Sequence, residues 1–95
     1  IGSLIIHPQE TTWKKDALST DWNDWNNWDR GTPWECTNVI LPSAASRYPV
    51  LKAGAEKAYC CQHIHFEPNA ELVGQTYLKY TTAFVDAKLT GTVIN

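Results

Sequence analysis

Gln62-His63-Ile64-His65-Phe66 decides how the rest of the chain is read: Gln62, Ile64 and Phe66 fall on one side of an extended backbone, and His63 and His65 on the other, because successive strand side chains point to opposite faces. One face is suited to a core and the other to water. Downstream, Pro68 and Asn69 break the run, Ala70 and Leu72 resume the apolar phase, and Gly74 breaks it again before Tyr77 to Tyr80, a spacing that resembles successive turns of a coiling sheet. Upstream, Pro33 and Pro42 bracket Asn38 to Leu41, with Val39 and Leu41 on one face and Ile40 on the other, which predicts a strand covered on both sides.

The remainder follows the same pattern. Expected strands are Ser3 to Ile6, Asn38 to Leu41, Gln62 to Phe66, Thr76 to Tyr80 and Ala83 to Leu89, rich in Ile, Val, Thr and aromatics and separated by Pro, Gly, Asn and Asp. Only Leu51 to Cys61 carries a trace of helical periodicity, and Gly54 argues against it. The 95 residues therefore predict a single all-β module.

Eight Lys plus Arg against ten Asp plus Glu give a net charge of -2. No basic surface is available to neutralise phosphates, so nucleic acid is not expected as a partner. Apolar runs such as Leu4 to Ile6 and Val39 to Leu41 fall far short of the ~20 residues of a membrane helix, so no membrane insertion is expected. Met is absent even at position 1; the chain is expected to be an excised or processed piece, and any export signal to lie upstream.

Asp21 to Trp34 reads Asp-Trp-Asn-Asp-Trp-Asn-Asn-Trp-Asp-Arg-Gly-Thr-Pro-Trp, a composition of turns. Trp22, Trp25 and Trp28 recur every three residues, which a 3₁₀-like turn places on one side. They are expected to cap one end of the core. An alternative is a sugar-stacking platform of Trp22, Trp25, Trp28 and Trp34, with Asn26 and Asp29 supplying polar contacts. Trp13 and Trp34 are the indoles least committed to either role. Asp21, Asn23, Asp24, Asn26, Asn27 and Asp29 also offer hard oxygens for calcium, although Trp25 and the missing glycine exclude an EF-hand.

Cys61, His63 and His65 occupy alternate positions and predict three potential zinc ligands on one strand face, with Glu67 or Glu71 as general base for a zinc-dependent hydrolase. The competing reading is a solvated sheet face. Cys36 paired with Cys60 or Cys61 would close a loop of about 25 residues, contributing roughly 3 kcal/mol in an oxidising compartment; buried free thiols are the alternative. No nucleophile elbow, zinc-helix motif or phosphate-cradling loop is present, and no cofactor is implied.

The residue order carries a resemblance. Thr12-Trp13, Asp21-Trp22-Asn23-Asp24, Asn27-Trp28, Gly31-Thr32-Pro33, Asn38-Val39-Ile40-Leu41-Pro42 and Tyr48-Pro49-Val50-Leu51 are followed by Ala58-Tyr59-Cys60-Cys61, Ile64-His65-Phe66, Asn69-Ala70-Glu71-Leu72 and Leu78-Lys79-Tyr80. This resembles a module of large secreted and surface adhesin-like proteins of Bacteroidetes over Thr12 to Leu89. The resemblance implies a short β-solenoid-like or rolled β-sheet domain with the Trp-rich loop as cap, a small β-sandwich being the alternative. It also implies an extracellular or cell-surface setting and a place within a much longer adhesin-like chain. Together with the turn-and-strand pattern and the absence of a catalytic motif, this leads to the expectation of a non-catalytic structural or adhesive role, with a glycan or a host or bacterial surface protein as partner. Two departures stand out: Asn69 replaces the module's glycine, and its single cysteine is doubled to Cys60-Cys61.

Overall fold

The computed structural model describes residues 8–54 and 59–85. The expected strand Ser3 to Ile6 and the stretch beyond Val85 in the expected strand Ala83 to Leu89 lie outside the described residues. Six short strands carry the fold: β1 (Glu10–Thr12), β2 (Asn38–Leu41), β3 (Tyr59–Cys60), β4 (His63–Phe66), β5 (Leu78–Lys79) and β6 (Thr82–Val85). Two single 3₁₀ turns, Trp25–Asn27 and Gln75–Tyr77, are the only helical segments among the described residues.

All named strand pairings are parallel. One sheet runs β1-β2-β4-β6 and a second pairs β3 with β5, while Val50 and Val73 form a further parallel bridge. Thr11, Val39, Ile64 and Ala83 stand side by side in register, so the chain returns to the same sheet after 28, 25 and 19 residues (11 to 39, 39 to 64, 64 to 83). Leu41, Phe66 and Val85 form the next row, and Trp13 extends it past β1 by donating its N–H to the Ile40 carbonyl at 3.0 Å.

Alternation decides what these rows bury. Thr11, Trp13, Val39, Leu41, Ile64 and Phe66 are buried, whereas Ile40 is half-buried and His65 and Phe84 are exposed on the outer face. β2 is therefore fully buried on one face and half-covered on the other. Thr76 to Tyr80 is not one strand, because Gly74 at φ 81 leads into the 3₁₀ turn before β5 begins. Leu51 to Cys61 contains a turn at Ala53 and Gly54 and then β3, with no helix in its described part.

Stacked corners hold the register. Lys14–Ala17, Pro42–Ala45 and Glu67–Ala70 each follow an inner-row residue. Each ends on an alanine tucked toward the core: Ala17 and Ala70 are buried, and Ala45 packs against the cluster. The second and third corners are tied together, because Glu67 Oε1 accepts the Ser43 N–H at 2.9 Å and the Ser43 hydroxyl donates to the Pro68 carbonyl at 2.7 Å. Their left-handed residues are Ala44 (φ 60) and Asn69 (φ 67). Asparagine tolerates that conformation, whereas alanine is strained there by roughly 1–2 kcal/mol. Ala44→Gly should stabilise the fold by about 0.5–1 kcal/mol after the larger unfolded-state entropy of glycine is counted, raising the thermal midpoint by a few degrees. Asn69→Gly should change it less.

Candidate functional site

The Trp-rich loop begins with short side chains bonding to their own backbone. Asp21 Oδ1 accepts the Asn23 N–H and Asp24 Oδ1 accepts the Asn26 N–H, both at 2.9 Å, which is how Asp favours turns and helix N-caps. Asp24 thereby caps the 3₁₀ turn Trp25–Asn27. Trp28 already has extended backbone (φ -121, ψ 145), so the three-residue periodicity lasts for one turn only. Trp22, Trp25 and Trp28 accordingly do not share a side. Trp22 and Trp28 turn inward and are buried, and Trp25 turns out.

Trp13, expected to be uncommitted, completes the buried set. Trp28 sits centrally, edge-to-face with Trp13 (centroids 5.1 Å apart, 82°) and with Trp22 (5.0 Å, 76°), arrangements that the ring quadrupole favours. Its Nε1–H donates to the Trp22 carbonyl at 2.7 Å, and Trp13 Nε1–H donates to the Arg47 carbonyl at 2.8 Å.

Asn27 is buried and fully used. Its Oδ1 accepts the Leu18 N–H at 3.1 Å, while its Nδ2 donates to Ser19 Oγ at 2.8 Å and to the Asp21 carbonyl at 3.0 Å. The loop then runs antiparallel along the free side of β1: Lys14 N–H donates to the Asn27 carbonyl and Asp29 N–H to the Thr12 carbonyl, both at 2.9 Å, with a bridge between Trp13 and Trp28. Asp29 Oδ1 also accepts the Thr12 N–H at 2.7 Å. The Trp-rich loop is thus seated on the β1 edge.

Neither metal reading finds a converging set of ligands. Asp21, Asp24 and Asp29 spend oxygens on backbone N–H groups, and among the described residues no three His, Cys, Asp or Glu side chains come together to hold an ion. The zinc set Cys61, His63 and His65 is split by a bend at Gln62, which separates β3 from β4 and breaks the alternation. Cys61 is buried, His63 is half-buried with its ring 5.8 Å from Phe84, and His65 is exposed. Glu67 is bound to the Ser43 amide as part of a corner.

All three cysteines are free thiols, so neither Cys36 to Cys60 nor Cys36 to Cys61 is bridged. Burial pushes the Cys61 thiol up to about 12, with Cys60 beside it adding to the shift. Burial also raises Cys60, helped by Glu35 and opposed by Lys79.

Two indoles remain for recognition: Trp25 is 62% exposed and Trp34 50% exposed. Trp25 lies against Gly31, where a Cβ would meet Cη2, Cζ3 and Cζ2 of the indole at 2.6, 2.7 and 2.8 Å. Near-equal distances to three consecutive ring carbons place the glycine beneath the ring's face rather than at its rim. Pattern reading singled out Trp25 but missed Gly31; its signal was a glycine between two flanking indoles. Asn26 and Asp29 are both exposed in the same loop. Elsewhere, Ser19, Thr20, Asp21, Val50, Lys52 and Tyr59 line a polar depression of about 300 Å³.

Comparisons of the chain with protein-family models, with curated proteins and with solved structures find no match.

Trp28→Ala should cost about 3–5 kcal/mol, as truncation of a buried aromatic does, whereas Trp25→Ala should change stability by less than about 0.5 kcal/mol. Urea unfolding of the two variants checks this contrast. The raised Cys61 pKa favours the protonated thiol in the fold. The resulting stability is complete below the ordinary thiol value of about 8.5 and is lost as pH rises toward about 12. Unfolding curves between about pH 8 and 11 should therefore fall more steeply for the wild type than for Cys61→Ala, whose baseline is lower because of the cavity.

Proposed function

We propose that the chain is a non-catalytic, extracellular structural or adhesive module of β-solenoid type, forming a capped end of a coiled stack in a large bacterial surface protein. The observation that carries this reading is the in-register parallel row Thr11, Val39, Ile64 and Ala83, combined with a Trp loop laid along the outer edge of β1. A chain that returns to the same parallel sheet at each pass, with corners stacked on corners, supports a solenoid reading. Hairpin-built sandwiches use antiparallel pairs instead. Such stacks need a cap at each terminus, and the indoles of Trp13, Trp22 and Trp28 suit that role.

The extracellular assignment rests on the resemblance of the residue pattern to adhesin-like modules of Bacteroidetes. A glycan or a surface protein is the partner class that follows. Among the described residues, no helix is long and apolar enough to cross a membrane. The positions read as metal ligands support the same conclusion: Cys61 is buried beyond the bend at Gln62 while His63 and His65 share the outer face of β4, and Glu67 braces a corner.

The reading is tested by assaying the purified chain against chromogenic glycosides, esters and peptides, alongside limited proteolysis. The expected outcome is no turnover, with a protease-resistant body that Trp28→Ala makes labile. Turnover abolished by His63→Ala or His65→Ala would replace the scaffold with an enzyme.

A further inference from the structure

The strongest unexplained feature is an indole with one face packed and the other in water. The six-membered ring of Trp25 covers the backbone of Gly31, and the side chain is nevertheless 62% exposed. Gly31 permits this packing in two ways: it has no side chain to collide with the ring, and its φ of +101 is a conformation open to glycine. The backbone of Trp25 is also fixed, because its carbonyl accepts the Trp28 N–H at 3.2 Å and the preceding Asp24 caps the turn. Trp28 in turn is anchored in the buried indole trio. Trp25 is therefore presented by a rigid base, so little ordering entropy remains to be lost when something lies on it.

The surroundings select the occupant. Asn26, Asp29 and Arg30 neighbour Trp25 in the chain and are exposed, so the loop surface that carries the indole is polar, with amide, carboxylate and guanidinium groups. A wholly apolar partner would desolvate such groups without pairing them. A pyranose has an apolar face of axial C–H bonds and a rim of hydroxyls, so it matches the plane and the rim together.

We propose that the solvent-facing side of Trp25 is a carbohydrate-binding platform that stacks one pyranose ring of a glycan, with Gly31 as its positioning residue. This inference does not rest on the scaffold reading, since it needs only the local geometry of residues 24–31.

The test uses the whole chain and a panel of soluble oligosaccharides: chitotetraose, cellotetraose, xylotetraose and mannotetraose. Binding is followed by isothermal titration calorimetry, which does not depend on the indole as reporter. At least one sugar should bind saturably, and Trp25→Ala should weaken it about tenfold or more, equivalent to the loss of one good aromatic contact, with an unchanged thermal midpoint. Trp25→Phe should retain part of the affinity. Gly31→Ala, which forces the ring from its seat, should weaken binding although the indole itself is retained. No saturable heat from any sugar up to about 10 mM, roughly tenfold above a millimolar dissociation constant, overturns the proposal. Equal binding by wild type and Trp25→Ala also overturns it and moves the site elsewhere, with the Ser19 to Tyr59 depression the next place to look.

Discussion

An outermost strand in a parallel sheet exposes a row of unpaired N–H and C=O groups along its edge and leaves inner side chains without a neighbour above them. The packing of Trp28 between Trp13 and Trp22 answers both problems at β1. The same segment that delivers Trp28 to the core places the Asn27 carbonyl and the Asp29 N–H where β1 needs partners, so covering the edge and filling the end are one act of folding. Asn27 makes this possible: its amide satisfies Leu18, Ser19 and Asp21 in an interior where each unmet polar group would cost about 1–3 kcal/mol.

Much of the sheet was legible in the sequence because its signal is local. Ile64 and Phe66 inward with His65 outward, and Val39 and Leu41 inward, follow directly from the two-residue period. Parallel pairing was not legible, since the partners of Val39 lie 28 residues before it and 25 after it (11 to 39, 39 to 64). β1 and β3 also escaped, being three and two residues long, too short to show any alternation. The bend at Gln62 misled for the same reason: the alternation that holds from His63 to Phe66 was carried one corner too far, onto Cys61.

The candidate site was legible by residue type and misread in geometry. A period of three suggested one indole face, but a 3₁₀ segment of a single turn cannot enforce that alignment, and the extended backbone at Trp28 reverses it. The density of Asp and Asn suggested ligands. In the fold, those side chains compete successfully for nearby N–H groups, which is their commonest use in turns. The division of the five indoles into three buried and two exposed depends in part on tertiary contacts with Arg47 and β1 that lie outside the loop.

The unequal lengths of successive returns to the sheet have an evolutionary implication. Register is maintained by the in-line rows and the tied corners at Ser43 and Glu67, while the distance travelled around the far side varies. Insertions there leave hydrogen-bonded rows unshifted, so the far side is a region where new recognition loops can arise by duplication or slippage without loss of foldability. The Trp-rich loop, accommodated within the longest return, shows the sort of embellishment that this architecture tolerates.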